Sequence, residues 1–212
     1  MATARRFATT FPAASTRVGA AGRSAYVSGM TLRKIAMMGH PVLWRRAEAV
    51  ATPLDAETRR LADDMMATMR EAPGVDLAAP QVYESLRLIV VQPSREADGP
   101  LVLVNPALEA VGDGVELGVE GCLSIPDWQG LVPRWRTVHW RAEDVEGRPL
   151  EGEADGFFAR VLQHEVDHLD GVLYPMRLRD PRDLAMSREA RHLMARLEAY
   201  RAPADPEEDT RS

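Results

Sequence analysis

Apolar residues recur at helical spacing in three stretches of this chain and alternate with polar ones in several shorter runs. Leu61, Met65 and Met69 repeat every four residues, so they share one face of a helix that Pro53-Leu54-Asp55 opens and that runs to about Glu71. Asp55 has the short carboxylate of an N-cap. The methionine stripe reads as core packing, not as a binding surface. Leu86 to Gln92 and Leu101 to Asn105 read as strands joined by a turn through Pro93-Ser94 and Asp98-Gly99-Pro100. Shorter strands are predicted at Val115–Val119, Thr137–Ala142 and Leu150–Glu153. A second helix starts near Gly156 and ends at about Asp170-Gly171, with Gly171 as its stop. A third is predicted from Asp180-Pro181, with Asp180 as cap and Met186, Ala190, Leu193, Met194 and Leu197 as its apolar face.

Nothing repeats, and helices do not alternate regularly with strands, which predicts one α+β domain over residues 30–201. Residues 1–29 are rich in Arg, Ser, Thr and Ala, and no acidic residue precedes Glu48. That is the composition of an organellar transit peptide, or of a start codon assigned upstream of Met30. This extension and the polar tail 202–212 are expected to be disordered.

Hydrophobic residues make up 45% of the chain and charged ones 27%, the balance of an ordinary globular protein. A net charge of −6 argues against nucleic-acid binding by the whole surface. No apolar run approaches the ~20 residues that span a bilayer, so no membrane partner is expected. The single cysteine, Cys122, excludes an intramolecular disulfide, and no disulfide-linked partner is expected.

The run His164-Glu165-Val166-Asp167-His168 carries the strongest chemical signal. Its two imidazoles lie one helical turn apart and can grip one divalent metal, while Glu165 stands where it can take a proton from water. A catalytic metal site needs a third protein ligand. Cys122, in Glu120-Gly121-Cys122-Leu123-Ser124 just after a predicted strand, is a candidate. Gly74-Val75-Asp76-Leu77-Ala78-Ala79-Pro80-Gln81 is a small-residue turn that ends in an amide side chain.

Together these segments, read as GVDLAAPQ, EGCLS and QHEVDH, resemble the peptide deformylases, and the resemblance extends from about Ile35 to Leu184. It implies antiparallel and mixed sheets packed around a central HExxH helix, with an N-terminal and a C-terminal helix. It also implies a hydrolase that removes the N-formyl group from the first methionine of new polypeptides and releases formate. Cys122, His164 and His168 would hold one divalent ion, ferrous iron in many members and zinc in others, with iron the ion expected in vivo. Glu165 would be the general base; the Gln81 amide and the Leu123 backbone N–H would stabilise the oxyanion. Glu120 is predicted to pair with Arg134, and Asp167 to orient a ligand histidine or cap backbone. Gly74, Val75, Asp76, Arg160 and Val161 are the residues expected to meet substrate.

Two positions depart from that pattern. Asp76 stands where the family has a second glycine, and Arg160 where many members carry an apolar residue. An isolated Asp would be costly to bury, so an Asp76–Arg160 ion pair beside the first-residue pocket is expected. The alternatives to a deformylase are a deformylase-like paralogue with altered substrate range, a chain-end binder, and a zincin-type peptidase. Tyr174 occupies the place of a zincin's third histidine. Arginines from Arg177 to Arg201 raise ribosome contact through the last helix. The compartment expected from Met30 as the start is the bacterial cytoplasm; a cleaved transit peptide would make it organellar.

Overall fold

The computed structural model of the protein describes residues 30–72, 74–92 and 99–201. The predicted N-terminal extension, the polar tail and most of the Pro93–Pro100 turn lie outside the described residues.

Helix α1 (Ala56–Glu71) begins where its cap predicts, with the Asp55 carboxylate accepting from the Thr58 N–H. Five strands form one antiparallel sheet in the order β1-β2-β3-β6-β7, with β1 Asp76–Ala78, β2 Leu88–Val91, β3 Leu101–Ala110, β6 Thr137–Glu143 and β7 Pro149–Asp155. A second sheet has the order β4-β5-β8, with β4 Val115–Cys122, β5 Ile125–Trp135 and β8 Leu184–Met186. Helix α2 is Gly156–Leu169 and helix α3 is Ala190–Arg201.

Alternation along β2 explains how the large sheet is covered. Leu88 and Val90 face α1 and join Leu61, Met65 and Met69 in one core. Ile89 and Val91 face the other way and pack with Leu103, Val138 and the α2 residues Ala159, Val161, Leu162 and Leu169. Because both faces are buried, β2 is apolar at every position. On the small sheet, Leu131 meets Leu193 and Leu197 of α3, while Val132 packs with Ile125, Leu173 and Tyr174. The fold is α+β, with α2 covered by β-structure as expected.

Several elements differ from the sequence reading: within the expected Gly74–Gln81 turn, Asp76–Ala78 pairs with β2 as a strand. β3 runs beyond Asn105 because a register shift between Val104 and Ala107 absorbs Asn105-Pro106. There Asn105 has φ +51° and its amide bridges the Val50 backbone and Glu143. β5 was not predicted, since Pro126, Gly130 and Pro133 break its pattern. It is tolerated because β8 pairs only with Trp128–Gly130, leaving one edge of β5 open beside both prolines. The last helix starts at Ala190, not at Pro181. Asp180 caps only a short 3-10 turn, and Leu184–Met186 is drawn off to complete the small sheet.

Candidate metal centre

Cys122 closes β4, and His164 and His168 sit one turn apart on α2. Their ligand atoms all lie within 4.8 Å of one another. Cys122 Sγ is 3.3 Å from His168 Nε2. The two imidazoles stand 4.9 Å apart at 80°, so each can turn a ring edge toward one common point. A register shift between Gly121 and Cys122 pairs the cysteine with Ile125, out of step with the ladder before it, and its Sγ meets His168 of α2.

Glu120, two residues before the cysteine, is buried and fully engaged. Arg134 of β5 grips it through two hydrogen bonds of 2.9 Å each, as the sequence predicted. Its Oε2 also lies 3.0 Å from His164 Nδ1. That contact leaves the other ring nitrogen of His164 free for a ligand point. Burial disfavours the Glu120 anion, but His164 and Arg134 overcome this and bring its pKa down to about 2. Burial would likewise raise the Cys122 thiol, yet the facing His168 and His164 rings lower it to about 5. A buried thiolate between two imidazoles demands positive charge, and with no carboxylate in the triad the donor set suits a borderline-soft divalent ion.

Glu165 is buried beside this cluster, and its Oε2 has no hydrogen-bond partner among the described residues. An orphaned carboxylate oxygen next to three metal-type donors fits a site that binds water as well as an ion. Gln81 comes from the 3-10 turn after β1. The Ala78 N–H donates to its Oε1 at 2.8 Å, while its Nε2 is 3.4 Å from Cys122 Sγ and 3.3 Å from Ser124 Oγ. Leu123 follows Cys122 in the tight turn that leads into β5.

The expected Asp76–Arg160 ion pair does not form. The Arg160 guanidinium turns to Glu120 at 2.7 Å and to the carbonyls of Val132 and Glu116, both at 2.8 Å. Asp76, half-buried at the edge strand β1, stands against Glu165 instead; burial and then the Asp76 charge hold the Glu165 carboxyl well above its ordinary range. Periodicity put Arg160 on the His164 face of α2 but could not show that Glu120 lay nearer than Asp76. Asp167 also differs from expectation. It orients no histidine, and accepts from Arg134 at 2.5 Å and from Arg177 at 2.6 Å. Val75 is exposed, Gly74 half-buried, and Val161 packed in the core between α2 and the large sheet. Sequence reasoning missed Ser124, which is wholly buried against the Gln81 amide, although its place in EGCLS beside the cysteine was a usable signal.

A Cys/His/His donor set flanked by a buried carboxyl and an amide donor defines a metal-dependent amide hydrolase. The polypeptide deformylase family model matches residues 32–183, and the chain belongs to this family. It is 46% identical over 156 residues to peptide deformylase 1 of Bordetella pertussis, covering 70% of this chain and 89% of that protein. It is also 46% identical over 142 residues to the peptide deformylase of Dictyoglomus thermophilum, covering 67% of this chain and 90% of that one. Among solved structures, the Met-Ala-Ser-bound class I type b peptide deformylase of Acinetobacter baumannii aligns with a TM-score of 0.66 at 37% identity. That alignment covers 71% of this chain and all of the other.

Proposed function

We propose that this chain removes the N-formyl group from the first methionine of newly made polypeptides, with Cys122, His164 and His168 holding one divalent ion. The observation that carries this reading is the placement of the Gln81 amide and the Glu165 carboxyl on that one triad. A divalent ion there supplies Lewis acidity and an activated water. Glu165, buried beside the triad, accepts a proton from the attacking water and returns it to the departing amine. The Gln81 Nε2–H and the Leu123 N–H donate to the carbonyl oxygen as it gains charge. Glu120 keeps His164 in the tautomer that offers its free nitrogen to the ion.

The substrate would enter as an extended chain. β1 and β4 are each an end strand of their sheet, and both lead to the triad: Gly74, Val75 and Asp76 on one side, Gly121 and Cys122 on the other. A peptide lying there can pair with exposed strand edges. Asp76 beside Glu165 supports a second reading, a deformylase of narrowed substrate range, because a side chain now fills space that glycine would leave open.

Ferrous iron is the ion we assign in vivo, and the protein is placed in the bacterial cytoplasm as one catalytic domain over residues 30–201. Ribosome contact would use α3, and co-sedimentation with and without the segment after Asp180 tests it. Among the described residues no helix is long and apolar enough to cross a membrane. Anaerobic purification, metal analysis and formate release from formyl-Met-Ala-Ser test the activity. Chain-internal cleavage without formate would overturn it. Formyl peptides with small first residues, assayed in parallel, distinguish the two readings of range.

A further inference from the structure

Side-chain contacts join β4 to α2 in three rungs that lead away from the metal centre. Cys122 meets His168 on the first rung, Glu120 meets His164 on the second, and Gly118 meets Arg160 on the third. The third rung has an unusual construction. A Cβ on Gly118 would lie 2.8 Å from both Cζ and Nη2 of Arg160, so the guanidinium rests on the strand in space that a side chain at 118 would make it give up. From there Nη1 donates to Glu120 Oε1 at 2.7 Å and to the Val132 carbonyl at 2.8 Å, and Nη2 donates to the Glu116 carbonyl at 2.8 Å.

Arg134 and Arg160 therefore both hold Glu120, but by different routes. Arg134 belongs to β5, grips Glu120 within its own sheet and reaches α2 only beyond the first imidazole, at Asp167. Arg160 belongs to α2, one turn before His164, and fastens Glu120 to the helix that carries both imidazoles. The thiol ligand sits two residues beyond Glu120 on β4. We propose that Arg160 is a positioning residue for the metal centre: laid over Gly118, it clamps Glu120 to α2 and so sets the separation between the strand-borne Cys122 and the helix-borne His164 and His168. Supporting contacts of this kind typically change metal affinity 10- to 100-fold when removed. The proposal rests on the functional reading above only in placing an ion on those three side chains.

The test uses the full chain loaded with zinc, and in parallel with cobalt(II). Arg160→Met is expected to release zinc to excess EDTA at least tenfold faster than the parent. Its cobalt thiolate and d–d absorption bands are expected to shift, because the sulfur-to-imidazole geometry relaxes. Arg160→Lys keeps one charged donor and is expected to restore release to within about threefold of the parent. Gly118→Ala keeps the charge but displaces the guanidinium, and covers the case in which Arg160→Met does not fold; it is expected to release zinc at least threefold faster. Parent-like release and an unshifted cobalt spectrum in Arg160→Met, whatever its thermal midpoint, would make Arg160 an ordinary buried ion pair and overturn the clamp. Parent-like values in Gly118→Ala do the same should Arg160→Met not fold. A parent that retains zinc yet releases no formate counts against the deformylase reading, and is seen separately in the parent's own assay.

Discussion

The side-chain amide of Gln81 presents its nitrogen to Cys122 Sγ at 3.4 Å while its oxygen is tied to the Ala78 N–H at 2.8 Å. The backbone bond fixes which end of the amide faces the metal centre, and that end is the donor. Gln81→Leu keeps the bulk and removes the donor. It is expected to lower kcat about 10²- to 10³-fold, the usual effect of losing one oxyanion donor. Bound zinc should stay at the parental level, so metal analysis beside the formate assay separates a catalytic loss from a binding loss.

As the proposed base, Glu165 can take a proton only when deprotonated. Burial, with the Asp76 carboxyl adding to it, holds Glu165 well above the ordinary carboxylate range, so the acid limb of kcat/KM is expected above that range. Asp76→Asn removes the repelling charge and leaves the shape almost unchanged. The Glu165 pKa then falls, and the acid limb moves to lower pH. An acid limb that stays in place or moves upward would separate the two carboxyls functionally. Glu165→Gln is expected to lower the rate about 10²- to 10⁴-fold at every pH.

Elements with strong local signals were legible in the sequence. α1 starts after its Asp55 cap, and α2 ends at Leu169, with Asp170 as its C-cap and Gly171 at φ +74° just beyond, because caps act within a few residues. β5 was hidden because its prolines are acceptable only where β8 leaves an edge open, a fact of tertiary pairing. The start of α3 was hidden for a related reason, since pairing with β5 outweighs the helical pattern of Leu184–Met186. Within the site, motif and spacing singled out Cys122, His164, His168, Glu165 and Gln81, which the structure brings together. The direction of Arg160 was not, because it depends on the gap at Gly118 across the cleft.

Arg134 is buried between two carboxylates, Glu120 and Asp167. Arg134→Met would leave Asp167 to the half-exposed Arg177, and Glu120 to Arg160 and His164. Breaking a buried pair from one side typically costs about 3–5 kcal/mol, and a loss of that order is expected in urea unfolding. The folded pKa of Glu120 is about 2, below its ordinary 4.5. Its contribution to stability is thus complete above the unfolded value and fades as pH falls from there toward 2. In Arg134→Met this acid-side loss should be smaller, because less of the stabilisation of the anion remains to be lost.

Gly171 and Gly112 have nearly the same backbone, φ +74° and +71°, but different surroundings. A Cβ on Gly112 meets nothing within 4 Å, whereas one on Gly171 would lie 2.8 Å from the Trp44 carbonyl carbon and oxygen. Gly112→Ala is therefore expected to cost only the left-handed strain, about 1–2 kcal/mol. Gly171→Ala carries that strain and must also push α2's C-terminal turn away from the Trp44-Arg45 backbone, which adds about 1–3 kcal/mol. Paired urea unfolding of the two variants gives this difference directly. The displaced turn follows His168 by three residues, so faster zinc release should accompany the loss in Gly171→Ala and be absent in Gly112→Ala. Equal destabilisation would show that the segment at Trp44 gives way freely and that α2's end is not braced by it.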